Sequence, residues 1–218
     1  MVFEVENDKI PFYKEYIALF ILAFNIIIFL IQLTDPTGNM YIYEAAFVPK
    51  EFFEGKKILT IITSMFMHGD IIHILMNMWF FYVIADNCEN FLGHFWFLII
   101  YFLSGIAGTL LHAIASLFIP VFYNIPSLGA SGAVFGLIAV YGILFPKIKL
   151  KLILNRIPRI LKAYYLMIIY FTTELIYALT TFGMSGTAHF AHIGGFIAGA
   201  MFAIFIRITK KTKLQSLN

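Results

Sequence analysis

The sequence predicts an all-α, polytopic membrane protein: a bundle of six transmembrane helices forming one domain over residues 1–218. Three observations predict it. Mean hydropathy is +0.88 and only 12% of residues are charged, where a soluble domain carries about 25%. Apolar runs approaching the roughly 20 residues that span a bilayer recur six times along the chain. Aromatic residues make up 18%, with 25 Phe among them, a content suited to lipid-facing surface and interfacial belts.

The first run, 15–33, follows the acidic stretch MVFEVENDKIPFYKEY. That stretch lacks the pattern of a signal peptide, so the first span is expected to be a retained anchor. A long loop leads to the second and third spans, 68–85 and 94–118. The fourth, 131–145, is short, and Pro146 stops it because proline cannot continue a helix without losing a hydrogen bond. Spans at 163–182 and 188–206 complete the bundle. A single cysteine, Cys88, excludes an intrachain disulfide. The net charge of +3 is too small to suggest a nucleic-acid partner.

Positive charge sets the orientation. Lys9 and Lys14 precede the first span. Lys147, Lys149, Lys151, Arg156, Arg159 and Lys162 lie between spans four and five. Arg207, Lys210, Lys211 and Lys213 follow span six, where they are expected to meet anionic headgroups. Lys50, Lys56 and Lys57 alone fall in the first loop. The positive-inside rule therefore puts both termini in the cytoplasm, with the cell membrane the expected location. Spans two, four and six then all begin at the outer face. Their beginnings carry His68, His73 and Asn77, then Ser131, then His189 and His192. Residues far apart in sequence are thereby brought to one depth.

Polar and ionisable side chains within a membrane usually face the bundle interior and mark function. Ser131 sits in GASGAVFG, between Gly129 and Gly132 and ahead of Gly136. His192 lies three residues before Gly195, which is four before Gly199. Small residues let helix backbones approach closely, so a small face on span four against one on span six would press Ser131 towards His192. A serine nucleophile needs that contact, since a neutral imidazole within about 3 Å takes the hydroxyl proton. The oxyanion of the acyl intermediate needs donors. His73 and Asn77, at i and i+4, share a helix face, and the Ser131 backbone N–H is free at a helix start. His68 either lines the water-filled mouth or caps its span. Asp70 is placed in the interface, and Glu174 is deep in span five, either facing the bundle or bonded to a neighbouring hydroxyl such as Thr172, Thr173 or a tyrosine, with a protonated or hydrogen-bonded functional group the alternative. Neither position argues for a triad, so the expectation is a Ser–His dyad. His94 and His112 are read as structural.

The segments GASGAVFG, SMFMHGDIIHILMNM and AHIGGFIAG resemble the three signature segments of the rhomboid intramembrane serine proteases. The resemblance covers nearly the whole chain, from about Tyr13 to Arg207. It implies Ser131 as nucleophile and His192 as general base, with His73 and Asn77 in the oxyanion hole and His68 as the outer histidine of the second-helix motif. It implies no cofactor and no metal. The implied substrates are single-span membrane proteins whose helices unwind near small residues, cleaved at a site opening to the outer face. Two departures are visible. A Trp-Arg pair common in the first loop is replaced by Lys57-Ile58-Leu59-Thr60, and a Tyr four after the nucleophile is replaced by Phe135, which is expected to pack beneath His192.

Rival readings are weaker. A metal or haem site would use paired histidines, but no HExxH is present. A transporter would be expected to show an inverted repeat, and none is visible. A non-catalytic relative that binds or escorts membrane proteins would be expected to lack the dyad.

Overall fold

The computed structural model describes residues 2–4, 14–154, 157–181 and 185–209. Lys9, Arg156, Lys210, Lys211 and Lys213 of the charge argument, and Phe182 at the end of the fifth expected span, lie outside the described residues. The chain is mostly helical. Helix α1 (Tyr16–Gln32) is followed by a loop holding the short helices α2 (Met40–Ala45), α3 (Pro49–Phe53) and α4 (Thr60–Thr63). Then come α5 (Ile71–Leu92), α6 (His94–Ser116), α7 (Ser131–Leu144), α8 (Ala163–Thr181) and α9 (His189–Thr209). Helices α5, α6, α8 and α9 are long and apolar enough to cross a membrane, while α1 and α7 are apolar but shorter, at 17 and 14 residues.

Helix α7 is apolar on every side, and each residue from Gly132 to Gly142 is buried, as expected for a helix enclosed by others. It packs against α5, α6, α8 and α9. Such a helix can begin at membrane depth, because its free N-terminal amides face protein or a cavity rather than lipid.

Two sequence expectations need correction. The second helix starts at Ile71 rather than 68 and runs on to Leu92 rather than stopping near 85. The polar residues Asp86 to Asn90 continue it because Glu89 has an internal task. Its fully buried carboxylate accepts the amide N–H groups of Ile17 (3.0 Å) and Ala18 (2.6 Å). Those are first-turn donors that α1 itself cannot satisfy. The His94 imidazole contacts the same carboxylate.

The fold is also not purely α. The basic loop between α7 and α8 forms an antiparallel hairpin, β2 (Lys149–Leu154) and β3 (Ile157–Lys162), and β1 (Val2–Glu4) adds to β2. Leu150 and Leu152 are buried while Lys149 and Lys151 are exposed, the period-two alternation of a half-buried strand. The Trp79 indole donates to the Val2 carbonyl at 2.9 Å and ties this sheet to α5.

The first loop is held by backbone bonds where the Trp-Arg pair is lacking. Phe47 and Ser127 exchange bonds of 2.9 and 2.7 Å, and the Lys50 N–H reaches the Tyr123 carbonyl at 3.0 Å. The Thr63 hydroxyl donates to Ala45 and the Lys57 ammonium to Tyr43. At the far end, the Gln32 amide clamps the His68 backbone, donating to its carbonyl at 2.9 Å and accepting its N–H at 3.1 Å.

Candidate active site

Gly129 has φ +120°, a value that favours glycine. Its N–H donates to Ser64 at 2.9 Å, and a Cβ here would meet His73 Nε2 at 2.8 Å. One turn residue later Ser131 opens α7, and its N–H is among the amides left without an intrahelical acceptor.

Helix α9 reaches Ser131 because glycines interlock. A Cβ at Gly195 would collide with the Gly132 carbonyl, and one at Gly199 with the Gly136 carbonyl. Gly108 and Gly194 let α6 and α9 meet in the same way. The crossing sets His192 Nε2 2.8 Å from Ser131 Oγ. Phe135, one turn along α7, stacks on the His192 ring with centroids 4.3 Å apart and planes 9° from parallel.

Ser131, His192, His73, Asn77 and Phe135 line one cavity of about 540 Å³. Asp70, exposed, caps α5 by accepting the His73 N–H at 2.8 Å. The Gly69 N–H approaches His73 Nδ1 at 3.4 Å, and Nε2 lies on the Gly129 side. Asn77 donates its amide to the His73 carbonyl at 2.9 Å, so in this state one of its two N–H groups is already engaged. His68 does neither of the things expected of it. It is 1% exposed, is absent from the cavity lining, and stands behind His73 with ring centroids 5.2 Å apart. Burial, together with the neighbouring His73, holds its imidazole down at about 4.

The largest addition to the sequence reading is Glu174. The Thr172 hydroxyl bonds to the carbonyls of Ile168 and Ile169, not to Glu174. Glu174 Oε2 instead lies 2.8 Å from His192 Nδ1 and 2.6 Å from His189 Nδ1. His189 Nε2 in turn meets the Ser185 hydroxyl at 2.8 Å. An unbroken line of hydrogen bonds thus runs from Ser131 through His192, Glu174 and His189 to Ser185. Tyr170, also in the cavity lining, faces Phe135 edge-on and was not anticipated either. Among the described residues, two groups could offer three atoms to a metal ion: Glu174, His189 and His192, and Glu15, Glu89 and His94.

Fold and site together define a helical membrane protein with a serine and a histidine paired in an internal cavity. Residues 55–209 match the Rhomboid domain, and the chain belongs to the rhomboid family. It is therefore an integral membrane protein in a lipid bilayer. It is 32% identical to Rhomboid-like protease 3 of Toxoplasma gondii, over 71% of this chain and 53% of that one. It is 30% identical to Rhomboid protease AarA of Providencia stuartii, over 71% of this chain and 58% of that one. It is 36% identical to Inactive RHOMBOID-like protein 8 of Arabidopsis thaliana, over 41% of this chain and 24% of that one. The chain thus spans little more than half the length of the first two and about a quarter of the third.

Proposed function

We propose that this protein is an intramembrane serine endopeptidase that hydrolyses peptide bonds in single-span membrane proteins. The observation that carries the reading is the 2.8 Å contact between Ser131 Oγ and His192 Nε2, in a cavity large enough to admit a peptide segment and water. Ser131 gives its proton to His192 Nε2 as Oγ adds to the scissile carbonyl carbon. The histidine returns that proton to the leaving amine, and water then releases the acyl group from Ser131. The Ser131 N–H at the start of α7, His73 Nε2–H and an Asn77 amide N–H are the donors for the oxyanion. Phe135 holds the imidazole plane, and Gly129, Gly132, Gly195 and Gly199 make the close approach possible. All six apolar helices cross the membrane in this reading, α7 from within it. The termini are cytoplasmic and the cavity opens to the outer face of the cell membrane, as the lysine and arginine distribution supports.

A second reading, a non-catalytic relative that binds or escorts membrane helices, is favoured by the likeness to a protein named as inactive. A cleavage assay decides between them: purified protein with a fluorogenic single-span substrate, beside Ser131→Ala and His192→Ala. The proteolytic reading expects cleavage by the wild type alone. Binding without cleavage by all three would establish the second.

A further inference from the structure

Resting on the reading of Ser131 and His192 as nucleophile and base, we infer that Glu174 is a positioning residue: it turns the Ser131–His192 pair into a Ser–His–Glu array by fixing the tautomer and orientation of His192. A base that accepts a proton at Nε2 must carry its own proton at Nδ1 and must not rotate. Glu174 Oε2, 2.8 Å from that Nδ1, accepts a hydrogen bond from Nδ1–H and leaves the Nε2 lone pair aimed at Ser131. When the serine proton arrives, the imidazolium forms beside a carboxylate, the arrangement that stabilises it in serine triads.

The placement of Glu174 is costly without such a purpose. A carboxylate at membrane depth must be paired or hydrogen-bonded, and this one has only 13% of its side chain exposed. Packing alone does not explain it, because α8 is weakly embedded, with Ala163, Leu166 and Ala178 its buried residues. Two imidazole donors hold it. His189 is itself held in orientation: the Ser185 hydroxyl lies 2.8 Å from its Nε2, and Tyr177 stacks on its ring with planes 12° apart. His189 therefore steadies the carboxylate and leaves His192 as the histidine in contact with Ser131. A divalent cation could claim the same three atoms, which lie within 4.8 Å of one another. It would need both Nδ1 atoms stripped of protons, the opposite of what the array needs.

The test uses the full chain in detergent, as wild type, Glu174→Gln and Glu174→Asp. The array predicts that Glu174→Gln lowers kcat at least about 10²-fold with KM little changed, against about 10⁴-fold where a serine triad loses its acid. Glu174→Asp, which keeps the charge, recovers part of the loss. In the wild type, nitrogen-resolved NMR of the histidines shows His192 protonated at Nδ1, with a strongly deshielded proton that disappears in His192→Ala. This measurement does not depend on any Glu174 variant folding. Wild-type cleavage matched by Glu174→Gln, an Nε2-protonated His192, or a stoichiometric metal whose chelation ends cleavage would each overturn the inference. Failure of the wild type itself to cleave would instead refute the proteolytic reading, while the tautomer still decides whether Glu174 orients His192.

Discussion

Phe135 lies flat against the imidazole of His192, with ring centroids 4.3 Å apart and planes 9° from parallel. The benzyl ring closes one face of the base and fixes the plane in which Nε2 can meet Ser131. Aromatic pairs of this kind contribute about 0.5–1.5 kcal/mol beyond burial. Phe135→Leu is therefore expected to lower kcat by up to about tenfold, with little change in KM. Phe135→Tyr, which keeps the ring, should stay close to wild type. Steady-state cleavage of a single-span substrate by the folded variants checks both.

The oxyanion donors should be unequal. His73 Nε2 sits over Gly129 beside Ser131, whereas one N–H of Asn77 is engaged by the His73 carbonyl. Loss of one oxyanion donor typically costs about 10²–10³ in kcat. His73→Ala is expected in that range, and Asn77→Ala below it because other donors share the load. Equal losses would show that Asn77 releases its helix bond during turnover.

The α7–α9 crossing should tolerate no added carbon at its tightest points. Gly195→Ala places a methyl against the backbone carbonyl of Gly132, and Gly199→Ala against that of Gly136. Backbone cannot rotate aside as a side chain can, so each substitution should cost about 1–3 kcal/mol of overpacking and pull His192 away from Ser131. Thermal unfolding in detergent should drop for both. The lipid-facing control Ile204→Ala, at a residue 50% exposed, should leave the melting temperature nearly unchanged.

Acid should destabilise the protein through His68. Its folded-state value is held at about 4, against an ordinary 6.5, so the unfolded chain binds the proton more readily than the folded one. Stability therefore rises with pH across that window and is lost as pH falls from about 6.5 towards 4, by up to about 3 kcal/mol. Melting temperatures measured over this range should fall less steeply for His68→Gln than for the wild type. Parallel slopes would contradict the assignment.

The helices and the residues that meet at the cavity were legible in the sequence because each sits beside a strong local signal. Ser131 is framed by glycines, His192 precedes a Gly195–Gly199 face, and His73 and Asn77 share one helical stripe. Glu174 was not legible as their partner, since no spacing relates a residue on α8 to one on α9. Its signal was the rule that a deep carboxylate must have a donor, and the nearby hydroxyls were the wrong donors to choose. The hairpin was missed for a different reason. Lys149-Leu150-Lys151-Leu152 alternates with period two, but its lysines equally mark a cytoplasmic loop, and that signal masks the alternation. The extension of α5 depends on Glu89 serving the start of α1, a contact across the fold that no local pattern announces.

The most direct test of the account is whether Ser131 is an activated nucleophile. Detergent-purified protein is treated with a fluorophosphonate probe, beside Ser131→Ala and His192→Ala, and the adduct is located by mass spectrometry. The account predicts one adduct, on Ser131 of the wild type, and none in either variant. Folded wild-type protein that takes up no probe, or His192→Ala labelled as fast as the wild type, would contradict it.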